Sequence, residues 1–74
     1  MSINRIRNMN ILVNGKPKEV LEEDFNLQKL LYEIGLKPEV VAIELNGSIL
    51  EKADYIQRIE EGDRIEIIKF VGGG

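Results

Sequence analysis

The chain closes on Lys69-Phe70-Val71-Gly72-Gly73-Gly74, a pattern that asks for a chemical explanation. A hydrophobic run passes straight into three glycines. Glycine gains nothing from burial and has the most backbone freedom to lose on ordering, so such a tail is either a frayed end or a device. As a device it presents a carboxylate, that of Gly74, on a slender stem. Three extended residues reach roughly 10 Å at about 3.3 Å each. The remaining residue types offer little chemistry. The absence of histidine and cysteine removes familiar zinc sites and any side-chain thiol. Glu22-Glu23 and Glu60-Glu61 are adjacent carboxylates in polar turns and read as solvated. The stretch Glu60-Glu61-Gly62-Asp63 lacks the alternating ligands of an EF-hand. Tyr32 and Tyr55 read as packing residues, and nothing singles out Lys16, Lys18 or Lys29. The expectation is a chain with no catalytic set, no metal and no bound cofactor, acted upon rather than acting as an enzyme.

The elements that position the tail must fit in 74 residues, which allow one domain. With 43% hydrophobic residues and no disulfide, that domain stands on an aliphatic core. The net charge of −3 argues against a nucleic-acid footprint, which needs a basic face. The longest apolar run, Val40-Val41-Ala42-Ile43, is far short of a membrane span. The opening MSINRIRNMN has no apolar run behind its arginines and is not a secretory signal. Together with the lack of cysteine this makes the cytoplasm the expected location. Residues 1–8 read as a flexible extension, 9–71 as the folded domain and 72–74 as a flexible tail.

Residues 9–14 alternate as a strand, and Asn14-Gly15 is a hairpin signal, with Pro17 expected to help end the pairing. A return strand is expected near Lys18–Leu21. Leu27, Leu30, Leu31 and Ile34 fall at i, i+3, i+4 and i+7, one stripe of a helix over 27–34. Asn26 is placed to cap its start and Gly35 its end. Two turns of helix cannot stand alone and must lean on a sheet. Val40–Leu45 reads as a strand, Asn46-Gly47 as a second hairpin turn, and Ser48–Leu50 as the start of the return. The stretch 51–59 is irregular or a single turn, with Tyr55, Ile56 and Ile59 tucked under it. The last strand spans Arg64–Val71. One helix on one face of a mixed sheet is an α+β domain, and this element order suits a β-grasp arrangement.

Parity along the last strand sends Ile65 and Ile67 one way and Glu66, Ile68 and Phe70 the other. Arg64 and Glu66 need water, so their face is the outer one. That leaves Ile68 and Phe70 outside, just before the glycines. By the same rule Val41, Ile43 and Leu45 point inward. An apolar patch of Ile68 and Phe70, extended by Val40, Ala42 and Leu12, is expected on the outer face as a partner site.

The stretches ILVNGK, VVAIELNGSIL and EEGDRIEIIKFVGGG, spread over residues 9–74, resemble the ThiS sulfur carriers of thiamin thiazole synthesis. That family belongs to the ubiquitin-like β-grasp group, as do the MoaD carriers of molybdopterin synthesis. The eight-residue extension and the third glycine depart from the family pattern. The resemblance implies that a ThiF-like enzyme uses ATP to adenylate the Gly74 carboxylate. A sulfur donor protein then replaces AMP to leave a thiocarboxylate, and a ThiG-like thiazole synthase receives the sulfur. It further implies that Gly72 and Gly73 thread into these enzymes, while Ile68, Phe70 and Val71 contact them. A thiocarboxylate also explains how a chain without cysteine could carry sulfur. A carrier in another pathway, a ubiquitin-like modifier and a plain interaction domain remain open alternatives, since a shared fold cannot separate them.

Overall fold

A computed structural model of the chain describes residues 8–70. The expected flexible tail and most of the expected extension (residues 1–7, Val71 and the three glycines) lie outside the described residues; Asn8 is exposed and leads into the first strand. Among the described residues five strands form one mixed sheet: β1 (Met9–Val13), β2 (Lys16–Val20), β3 (Val41–Leu45), β4 (Ser48–Leu50) and β5 (Arg64–Lys69), in the order β2-β1-β5-β3-β4. β1 pairs parallel to β5, and the other three pairings are antiparallel. Among the described residues there are also one α-helix, α1 (Leu27–Ile34), and two short 3-10 turns, Pro38–Val40 and Lys52–Ile56. This is the α+β arrangement that the element order implied.

Both hairpins follow from their Asn-Gly turns. Asn14 and Asn46 have φ of 51° and 52°, followed by Gly15 at 79° and Gly47 at 92°. That is the doubly left-handed turn whose twist matches paired strands, tolerated by asparagine and glycine. The two-residue turn makes Val13–Lys16 a hydrogen-bonded pair. Pro17, opposite Leu12, therefore falls at a non-bonded site whose missing N–H faces the open side of an edge strand. Pro17 does not end the pairing, and β2 begins two residues earlier than expected.

The helix has the expected bounds and caps. Asn26 Oδ1 accepts from the Lys29 N–H at 2.8 Å, and Gly35 takes the left-handed conformation. The N–H groups of Gly35 and Leu36 donate back to the carbonyls of Tyr32 and Leu31, which closes the last turn as a Schellman motif. Leu27, Leu30 and Leu31 are buried. Ile34, expected on the same stripe, is exposed because the helix ends there and Leu36 packs against the core after the reversal. Phe25 is buried just before the cap, opposite in role to Leu30 in the first turn, the placement of a hydrophobic staple.

The core closes with Ile11, Val20, Val41, Ile43 and Ile65 from the sheet, and Tyr55 and Ile59 from the loop before β5. Ile59 is held there by its N–H bond to the Phe25 carbonyl at 2.9 Å. Ile56 is exposed rather than tucked in. A 3-10 turn advances about 120° per residue, so with Tyr55 inward its successor points out. Tyr32 is also no packing residue: it is 87% exposed, one step round the helix from the buried stripe. Val40 closes a 3-10 turn and not a strand, and β5 ends at Lys69.

Candidate functional site

The end of β5 is where the expected device meets the fold, and the register of the sheet fixes its surroundings. Ala42 lies opposite Ile68, and the Phe70 N–H donates to the Val40 carbonyl at 2.8 Å, continuing the ladder one step past the strand. Ile68 is 48% and Phe70 54% exposed, with Val40 also exposed and Ala42 half-buried beside them. Ile65 and Ile67 take the inner face, as parity required. The outer face of the β3–β5 pair thus carries four adjacent apolar residues at the end of β5. Glu44 and Glu66, directly opposite one another, border it. Leu12 does not join the patch. It pairs with Arg64, so Arg64 and Glu66 separate it from Ile68 along β5. Val71, Gly72, Gly73 and Gly74 lie outside the described residues.

The strand that carries this site is clamped by the asparagines of the two turns. Asn14 donates its N–H to the Ile65 carbonyl at 2.8 Å, and its Oδ1 accepts from the Ile67 N–H at 2.7 Å. Asn46 donates its N–H to the Arg64 carbonyl at 2.8 Å, and its Oδ1 accepts from the Arg64 N–H at 2.8 Å. Asn46 Nδ2 also reaches Asp63 Oδ1 at 3.0 Å. A turn residue chosen for its backbone conformation thus also anchors the central strand from each side. The Asn-Gly pairs announce the turns, but nothing local in the sequence announces the anchoring, which joins residues 53 and 18 positions apart.

The acidic turns are structural. Asp63 Oδ2 accepts from the Glu60 N–H at 2.8 Å, and Glu61 Oε1 accepts from the Asn10 N–H at 2.9 Å. Glu22, Glu23 and Asp24 line an open cleft with Glu60, Glu61 and Arg58, where Arg58 approaches Asp24 Oδ1 at 3.3 Å. Among the described residues no group of histidine, cysteine or carboxylate side chains could hold a metal. Lys18 and Lys29 pair at the surface with Glu33 and Glu22 at 3.0 and 3.8 Å. Burial pushes the Tyr55 hydroxyl above its ordinary pKa of 10.0, with the Ile43 backbone opposing that rise. No helix among the described residues is long and apolar enough to cross a membrane. Among the described residues the end of β5 presents an apolar surface bordered by the carboxylates of Glu44 and Glu66.

Known proteins match this arrangement over nearly its whole length. The crystal structure of the thiamine biosynthesis protein ThiS from Geobacter metallireducens superposes with a TM-score of 0.72 at 38% identity, covering 89% of this chain and all of that one. The likeness extends to its mixed sheet and single helix, the β-grasp fold. The sulfur carrier protein ThiS of Bacillus subtilis is 38% identical over 64 residues, covering 84% of this chain and 96% of that protein. The thiazole synthase of Paramagnetospirillum magneticum is 34% identical over 67 residues, but the chain spans only 20% of its length. The family model named ThiS matches residues 8–74, and the chain belongs to the ThiS family.

Proposed function

We propose that this chain carries sulfur for thiamine biosynthesis as a thiocarboxylate on Gly74. The observation that supports this most directly is the ThiS match, which runs through the glycines to residue 74. In the first step a carboxylate oxygen of Gly74 attacks the α-phosphorus of ATP in a ThiF-like enzyme, and pyrophosphate leaves. In the second, sulfide-level sulfur supplied by a donor protein attacks the acyl carbon, and the new C–S bond forms as the C–O bond to AMP breaks and AMP leaves. A carboxylate is a poor acyl donor, and the mixed anhydride divides one difficult substitution into easier steps. ATP is the partner's substrate, and the carrier itself binds no cofactor. A ThiG-like thiazole synthase then takes the sulfur. The ThiS-like segment within a protein named thiazole synthase supports that pairing. Ile68, Phe70 and Val71 form the contact surface, Gly72 and Gly73 thread the partner's channel, and the cycle runs in the cytoplasm.

The test extends the chain beyond Gly74. One added residue moves the terminal carboxylate by roughly 3.3 Å, and a misplacement of about 1 Å can already cost about a hundredfold in rate. The extended protein, shown by mass to be untrimmed, is expected to fold normally and to support neither ATP–pyrophosphate exchange nor sulfur loading. If it is adenylated and acquires sulfur, the carrier reading is wrong. Adducts joining Gly74 to other proteins in the native cell would install a protein-modifier reading instead.

A further inference from the structure

The pairing of β5 is incomplete on one side. Its even-numbered residues bond to the β3 side, as the Phe70 N–H to Val40 carbonyl and Asn46 N–H to Arg64 carbonyl bonds show. Its odd-numbered residues therefore point their N–H and C=O groups toward β1. There β1 covers only Arg64 and Ile65, and the Asn14 side chain takes the Ile67 N–H. Beyond that point the chain has turned away at Asn14-Gly15 into β2. Among the described residues the Ile67 carbonyl and both backbone groups of Lys69 have no hydrogen-bond partner in the sheet or the loops.

Proteins usually blunt such edges. The outer edge of β2 carries Lys16, Pro17 and Lys18, and the other edge strand, β4, is only three residues long. Among the described residues the half-edge of β5 has no proline and no covering element, and it lies on the strand that leads to the candidate site. We propose that the free edge of β5 at Ile67–Phe70 accepts an extended segment of the adenylating enzyme as an added strand, in line with β1. This rests on the proposed function for the choice of partner. The molecule that grips the tail must approach along β5, past Ile68 and Phe70. Backbone pairing would then hold the departing chain in one register, which a flat apolar patch cannot do alone. Parity places Lys69 on the face opposite the patch. The added segment therefore sets an apolar side chain beside Ile68 and Phe70 on one face and an acidic or polar one beside Lys69 on the other.

Amide exchange in the complex with the cognate ThiF-like enzyme tests this without a mutation. The Lys69 N–H is expected to exchange at least about tenfold more slowly in the complex than in the free chain, the equivalent of one added hydrogen bond. A Lys69 amide that keeps its free rate in a saturated complex overturns the proposal. As a second measurement, Lys69→Pro removes the N–H without touching a β3 bond, while Lys69→Ala removes only the side chain. The proline variant, confirmed as folded by its urea midpoint, is expected to bind the enzyme about tenfold more weakly than the alanine variant. Equal affinities overturn the proposal. So does a dimer of the free chain at assay concentration that Lys69→Pro dissolves, since the edge would then serve self-association. ATP–pyrophosphate exchange with the unmutated chain is scored separately. If it proceeds while Lys69 stays unprotected, the edge proposal fails and the carrier reading stands; if it never proceeds, the carrier reading fails.

Discussion

Replacing Asn46 separates the two tasks that this residue performs. Asn46→Gly keeps the left-handed turn and the main-chain bond to Arg64 but deletes the side-chain bonds to the Arg64 N–H and to Asp63. At a net value of about 1 kcal/mol per bond the expected loss is about 2 kcal/mol. Asn46→Ala deletes the same bonds and also forces a Cβ-bearing residue without a local polar partner to hold φ near 52°, a conformation that costs roughly 1–2 kcal/mol. Part of that difference returns because glycine has the more flexible unfolded state, so alanine is expected near 3 kcal/mol. Against a total stability of about 5 kcal/mol for so small a domain, both losses are large. Urea unfolding followed by far-ultraviolet circular dichroism reads them. With a slope of about 1 kcal/mol per molar, midpoints should fall by about 2 M and about 3 M at unchanged slope. A glycine variant with the midpoint of the unmutated protein would show that the anchoring of β5 contributes nothing. An alanine variant matching glycine would show that the strain of the turn conformation is no larger than the extra entropy glycine loses on folding.

Three further outcomes are expected. Leu30→Ala empties a fully buried position under the sheet and should cost about 2–5 kcal/mol, close to global unfolding; an unchanged urea midpoint would mean the helix presents another face. Phe70 leaves 54% of its surface exposed, roughly 110 Å² of a side chain near 200 Å². At about 25 cal/mol per Å², Phe70→Ala should weaken binding to the adenylating enzyme about a hundredfold; normal affinity per folded molecule alongside collapsed stability would make Phe70 a core residue. Tyr55 is held neutral by burial, so its folded pKa lies above the unfolded value of 10.0. The stability it contributes is complete below pH 10.0 and drains as pH rises through the folded pKa. Tyr55→Phe should flatten that alkaline decline in the urea midpoint, and an identical decline in both proteins would assign it to other groups.

Much of this fold was legible because its signals are local. The spacing of Leu27, Leu30 and Leu31 between Asn26 and Gly35 states a helix with both ends, and each Asn-Gly pair states a hairpin. Alternation in β5 was enough to send Ile68 and Phe70 outward, because Arg64 and Glu66 share their parity. What escaped depends on partners far along the chain. Periodicity counts Ile34 into the stripe, yet the helix stops before the sheet can cover it. Pro17 looks like a terminator until the pairing register puts its missing N–H on the open side of an edge strand. Leu12 has the right parity for the patch, but parity is silent about which strand lies alongside or how far the pairing is shifted. Phe25 was hidden by the acidic residues before it, although its place ahead of the Asn26 cap and five residues before Leu30 is a staple signature. The candidate site was legible as a surface, whereas the incomplete pairing beside it emerges only once the strand order is known.

The central position of β5 has a consequence for how the molecule is born. Two hairpins, β1–β2 and β3–β4, can form from neighbouring residues, but neither touches the other in the sheet; β5 lies between them and joins both. It is also the strand nearest the end of this sequence, and chains are made from the other end at about 5–20 residues per second. A nascent chain therefore holds two unjoined hairpins until β5 emerges, and long-range pairings of this kind form slowly. A chain cut short within β5 would leave two hairpins with no strand between them, so the sheet closes in one late step rather than growing strand by strand.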